Sequence, residues 1–138
     1  MMAVNAYINF DGNCREAVDF YTQVFGTKPP KIMTFGQMQS DPSFPVPEHM
    51  KDRVAHTNLD ICGTNVMFSD VFEGMPYTQG NHMSLAVVSD DKEKLKTFFE
   101  GLAQGGRVEM PLQETEWSGL YGSVVDKYGI CWQINLQT

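Results

Sequence analysis

The sequence predicts an α+β fold built from two tandem βαβββ modules, and three observations carry the prediction. Two segments share a strand–cap–helix–glycine order, with Asn13/Asp90, Glu16/Glu93, Val18/Leu95, Tyr21/Phe98 and Phe25/Leu102 all separated by 77 positions. Each segment changes from an alternating apolar pattern to helical spacing. Each is then followed by three short β-type stretches.

In the first module, Tyr7-Ile8-Asn9-Phe10 reads as a strand and Asp11-Gly12 as a turn. Asn13 reads as a helix N-cap with Glu16 as its capping-box partner. Val18, Tyr21 and Phe25 form one helix face, and Gly26 ends the helix. Strands follow over 31–35, 54–61 and 65–70, the last two joined by a tight turn at Cys62-Gly63-Thr64. In the second module Met83-Leu85-Val87 alternates with Ser84-Ala86-Val88. Asp90 is the expected N-cap, and Leu95, Phe98 and Leu102 form the helix face before Gly105-Gly106. Strands follow over 107–112, 121–126 and 130–136, with a turn at Lys127-Tyr128-Gly129. The modules run over about 4–70 and 82–137 of a single domain spanning 1–138. Pro- and Gly-rich connections at 37–51, 73–81 and 113–119 read as binding loops or as plain surface loops.

A formal charge of −7 argues against nucleic acid and anionic membrane surfaces as partners. No window reaches the roughly 18 apolar residues of a spanning helix, and the N-terminus lacks a signal-peptide pattern, so a cytoplasmic location is expected. Cys14, Cys62 and Cys131 are odd in number and widely spaced, which suits reduced, mostly buried thiols. Neither a GxSxG nucleophile elbow nor a glycine-rich strand-to-helix turn occurs, so acyl-enzyme chemistry and a nucleotide cofactor are not expected.

Strand alternation sorts the residues into two faces. Ile8 and Phe10 match Leu85 and Val87 and should pack beneath the helices. The other face collects Tyr7, Asn9, His56, Asn58, Met67, Ser69, Ser84, Gln133 and Asn135, joined at the strand starts by Asn5 and His82. A polar-dotted sheet face is either wet surface or the lining of a ligand site. Trp117, in a polar loop, is a candidate lid over it. His56 has three readings: a ligand, a general base or a structural imidazole. His49 reads as solvated, and the pairs Asp70/Glu73 and Glu114/Glu116 as exposed loop charges.

The run Tyr7 to Ala17, Phe20-Tyr21, Phe25-Gly26, Ala55-His56, Phe68-Ser69-Asp70, Glu114-Thr115 with Trp117, and Asp126 to Ile130 before Trp132 closely resembles the PhnB-like branch of the vicinal-oxygen-chelate superfamily. That superfamily includes glyoxalase I, extradiol dioxygenases, fosfomycin-resistance transferases and bleomycin-binding proteins. The resemblance implies a U-shaped mixed sheet around a cleft, helices on the outer face, and a homodimer. It also implies a divalent metal held from the first and last strands of each half. Carried across, the metal positions are Asn5, Met67, His82 and Gln133, of which His82 and Gln133 are the usable donors; His56, on a neighbouring strand, would add a second imidazole. Asn and Met complete a hard or borderline ion's shell poorly. The expectation is therefore a small-organic-ligand protein with no cofactor or with a divalent metal. In the metal case it would be a lyase, isomerase or transferase, with His56 or a nearby carboxylate moving a proton.

Overall fold

The computed structural model describes residues 2–38 and 45–137, and the chain divides into two compact units, Met1–Tyr77 and Thr78–Thr138. Of the first long loop, Pro42 lies outside the described residues. Each unit holds one module, with β1 (Tyr7–Phe10), α1 (Cys14–Phe25), β2 (Met33–Thr34), β3 (Val54–Ile61) and β4 (Thr64–Asp70) in the first. The second holds β5 (Leu85–Ser89), α2 (Lys92–Ala103), β6 (Arg107–Gln113), β7 (Tyr121–Val125) and β8 (Cys131–Leu136). The strand orders β1-β4-β3-β2 and β5-β8-β7-β6 are the same path drawn twice. In both, the first strand lies parallel to the last and the remaining ladders are antiparallel, which gives the α+β, tandem βαβββ architecture.

In the first unit the helix-side face carries Phe10, Thr57, Leu59, Ile61, Val66 and Phe68, all buried. α1 lays Ala17, Val18 and Tyr21 on them. Phe10, Phe68 and Tyr21 form a stacked row with centroid separations of 6.4 and 5.8 Å. Such pairs add about 0.5–1.5 kcal/mol each beyond the burial of their area. α2 buries Leu95, Phe99 and Leu102 in the second unit, whose largest core residue is Trp132. The β3–β4 hairpin closes through Cys62 and Gly63, with φ of 53° and 88°, the positive values that a two-residue primed turn demands.

Several boundaries differ from those expected. The 31–35 strand shrinks to Met33–Thr34 and gives way to a 3-10 turn at Phe35–Met38, because a register shift at Met33/Thr34 ends the pairing with β3. The second helix is capped by Asp91, not Asp90: the Asp91 side chain accepts from Lys94 N at 3.1 Å. Between matched core positions of strand and helix the second unit has one residue more than the first. The strands keep the offset of 77 (Phe10/Val87), while the helices shift to 78, pairing Ala17 with Leu95 and Tyr21 with Phe99. Phe99 therefore enters the core and Phe98 is only half-buried.

At α1, Asn13 makes no side-chain cap bond. Its role passes to Asp70, which is buried and not an exposed loop charge. Asp70 Oδ1 accepts from Gly12 N (2.8 Å) and Cys14 N (3.0 Å), and Oδ2 from Val54 N (2.9 Å). In the second unit, buried Asp126 organises the β7–β8 turn, accepting from Tyr128 N, Ile130 N and the Trp132 indole at 2.8, 3.1 and 2.8 Å.

Removing a carboxylate that satisfies buried backbone donors strands those donors. Asp70→Ala is expected to lower the urea-unfolding free energy by about 3 kcal/mol, against about 0.5 kcal/mol or less for the exposed Asp19→Ala. The caps make a second test: Asp91→Ala should cost about 1 kcal/mol, whereas Asn13→Ala and Asp90→Ala should leave the unfolding midpoint nearly unchanged.

Candidate functional site

The face of the first sheet turned away from α1 gathers the sequence-derived candidates of that module. Ladder register places Tyr7 opposite Met67, Asn58 opposite Met67, and Asn9 opposite Ser69. On the far side of β3, Met33 stands opposite His56. Tyr7 Oη lies 3.4 Å from His56 Nδ1, with ring centroids 5.8 Å apart and planes tilted by 39°. Tyr7 is 46% and Met33 49% exposed, and His56 and Asn58 are exposed as well. Ser69, by contrast, is buried and donates to Asn9 Oδ1 at 3.2 Å. Asn58 Nδ2 donates to Asn65 Oδ1 at 2.6 Å. Sequence reasoning did not single out Met33 or Asn65 for this face; the alternation of β4 carried the signal for Asn65, and only the shortened β2 register reveals Met33.

The equivalent face of the second sheet carries Ser84, Gln133 and Tyr121. Gln133 sits opposite Ala86 and Ser123, and its Nε2 donates to Ser84 Oγ at 2.9 Å. Trp117 is 64% exposed and meets Tyr121 edge-on, with centroids 5.4 Å apart. Its loop is anchored by buried Ser118, whose hydroxyl reaches Leu120 O (2.8 Å) and Leu136 O (3.2 Å). His82 is exposed in the segment that precedes β5.

A divalent-metal set does not assemble well from these side chains. Asn5 and Gln133 donate their NH2 groups to Asn65 O (3.0 Å) and Ser84 Oγ (2.9 Å) and have only a neutral amide oxygen for an ion, while Met67 offers only a thioether. Among the described residues, no three His, Cys, Asp or Glu side chains form a group able to hold a metal ion. The donor chemistry therefore does not fit the ion that the superfamily resemblance implies.

Other residues take roles different from those expected. His49 is exposed but its Nε2 contacts the Glu73 carboxylate, so it is paired with a neighbouring loop and not simply solvated. The connections that flank β3 are further tied by an edge-on Phe35–Phe72 contact at 5.5 Å and by an Arg53–Asp11 pair at 3.1 Å. Tyr77 Oη donates to Asn9 O at 3.4 Å, and burial, then Asp11 and Asp70, raise its pKa.

All three cysteines are thiols outside any disulfide. Burial, reinforced by Asp70, pushes the Cys14 thiol up to about 12. Cys131 is half-buried and Cys62 is exposed at its turn, so Cys14 alone of the three is fully buried where mostly buried thiols were expected.

Comparison with known proteins places this geometry. Residues 3–135 match the family model described as 3-demethylubiquinone-9 3-methyltransferase. The chain belongs to that family. The same tandem fold occurs in glyoxalase-related and bleomycin-resistance-type domains. The chain is 33% identical to protein YjdN of Escherichia coli over 98% of its own length and 95% of YjdN. Protein PA1353 of Pseudomonas aeruginosa superposes with a TM-score of 0.85 at 31% identity, covering 99% of this chain and 98% of that one. The PhnB protein of Bacillus cereus gives a TM-score of 0.75 at 28% identity, covering 99% and 100%.

Because only a thiolate attacks an electrophile, a thiol held at about 12 stays inert at neutral pH. Iodoacetamide at pH 7.5 is expected to label Cys62 and to leave Cys14 unmodified in the folded protein, as read by peptide mass spectrometry. Equal labelling of the two would contradict this assignment.

Proposed function

We propose that this PhnB-like chain binds a small organic ligand on the open sheet face, without a metal cofactor. The observation that carries the reading is the gathering of Tyr7, Asn9, His56, Asn58 and Met67 on the one side of the first sheet that is not packed on a helix. That side offers hydrogen-bonding groups beside exposed aromatic and thioether surface. The second sheet repeats the composition with Ser84, Gln133, Trp117 and Tyr121. The neutral amides of Asn5 and Gln133 and the thioether of Met67, which bring no anionic charge to a divalent ion, support the metal-free part of the reading.

The family's descriptive name refers to methyl transfer, but the local chemistry here favours binding. Strand-to-helix connections that receive nucleotide-type cofactors leave helix N-terminal N–H groups open to an anion. In this chain Asp70 takes Gly12 N and Cys14 N, and Asp91 takes Lys94 N. Three cysteines outside any disulfide suit a reducing cytoplasm, and none of the described helices is long and apolar enough to cross a membrane. A net charge of −7 disfavours nucleic acid, and the exposed run of β6, with Val108 and Met110, suits the homodimer that the resemblance implies.

The test is a thermal-shift screen of small organic compounds followed by calorimetry of the hits. His56→Ala is expected to weaken binding by roughly tenfold, the worth of one hydrogen bond with its stranded partner, while the unfolding free energy changes little. Titration with Mn, Ni, Zn and Co serves as the control. Hits indifferent to His56 would refute the site, and stoichiometric metal binding lost in His82→Ala would refute its metal-free character.

A further inference from the structure

We infer that the Tyr7–His56 end of the first sheet's open face takes an uncharged, planar aromatic ring carrying a hydrogen-bonding substituent. The inference rests on the ligand-binding reading above and narrows it to a ligand class.

Charge comes first. Among the described residues, the outward positions of β1 to β4 include no Lys or Arg, and their one carboxylate, Asp60, lies at the hairpin end, where Oδ1 accepts from Gly63 N at 2.7 Å. An anionic ligand would meet no compensating cation here and would enter the field of a chain of net charge −7. The burial of ligand charge is unfavourable without a partner, so an uncharged group fits this face.

Shape follows from the side chains that stand free. Tyr7 and His56 present two rings 5.8 Å apart at a 39° tilt, flanked in the ladders by Met67 and Met33. Tyr7 and Met33 are each about half exposed. Aromatic faces and thioether sulfur are polarizable surfaces whose attraction is greatest for another ring in offset or edge contact. A flat ring uses both rings and both sulfurs at once, whereas a puckered aliphatic ring of similar size cannot.

The hydrogen bonds already made leave defined groups over. Tyr7 occupies His56 Nδ1, which leaves Nε2 open whichever tautomer the pair adopts. Asn58 spends Nδ2 on Asn65 and keeps its Oδ1 as an acceptor. Asn9 spends Oδ1 on Ser69 and keeps its Nδ2 as a donor. A ring N–H or hydroxyl therefore finds an acceptor, and a ring carbonyl finds a donor.

The experiment titrates the 15N-labelled full chain with indole, cyclohexanol and indole-3-acetate, and follows the amides of Tyr7, His56, Asn58 and Met67. Indole is expected to shift these amides and to bind several-fold more tightly than either control. Tyr7→Leu should weaken indole by roughly fivefold, the scale of one aromatic contact, whereas Tyr7→Phe should change it by less than about twofold. Cyclohexanol or indole-3-acetate binding there as tightly as indole would overturn the ring or charge inference while the broader ligand reading stands. Indole leaving these amides unmoved, while a screened ligand still depends on His56, would likewise overturn the inference alone. If nothing shifts these amides and no ligand depends on His56, both readings fall.

Discussion

The first unit hangs on a carboxylate. Asp70 ends β4, yet its two oxygens bind the backbone at the β1–α1 connection and at the start of β3, so three segments far apart in sequence meet on one side chain. Burying a carboxylate is costly unless its lone pairs are used, and here three N–H groups use them. The same atoms satisfy helix-end donors that water or an N-cap side chain would otherwise serve. This explains why Asn13 makes no cap bond and why β1 is held in register with the far end of β4. Asp126 performs the corresponding task in the second unit at a different place, the β7–β8 turn, with the Trp132 indole as its third donor. The two units thus repeat their topology without repeating the interaction that secures it.

This division explains how much was legible in the sequence. Alternation in β1, β3 and β4 was readable because side-chain period two is enforced wherever one face is buried; Phe10, Leu59, Ile61 and Phe68 announce the core and leave Tyr7, Asn9, His56 and Asn58 on the other side. The one extra residue between matched strand and helix positions in the second unit was not readable. Asp90 and Asp91 are adjacent and chemically identical, and Phe98 and Phe99 likewise, so a uniform offset of 77 fits the letters. Only the cap bond to Lys94 and the burial of Phe99 fix the frame. Asp70 was misread for a similar reason: a carboxylate beside a polar loop looks solvated until the chain brings distant N–H groups to it.

The candidate site was legible as a face but not as a set of contacts. That Tyr7 and His56 share a side follows from parity; that their polar atoms lie 3.4 Å apart depends on register across β1, β4 and β3, which no local pattern encodes. Met33 joins them only because β2 is cut to two residues by a shift in its ladder. The expected metal positions show the converse. Their side chains are those the superfamily pattern selects by place, but Asn5 and Gln133 bring only neutral amide oxygens and Met67 a thioether beside the one imidazole of His82, so position without anionic donors does not make a coordination site.

The fold's stability and its candidate site draw on different residues. Core aromatics and two buried carboxylates lie on or beside the helix-side faces, while Tyr7, Met33, His56 and Asn58 contribute little packed area. Exposed side chains on a pleated surface can be exchanged at a cost of a few tenths of a kcal/mol, provided the ladder beneath them is secured elsewhere. A scaffold arranged in this way lets the outward residues of β1, β3 and β4 change in chemistry while register is kept by residues that point inward. The absence of Lys and Arg from the described outward positions of that face is then a property of the site and not of the fold, and a relative with the same strand order can carry a different ligand preference by altering only those outward positions.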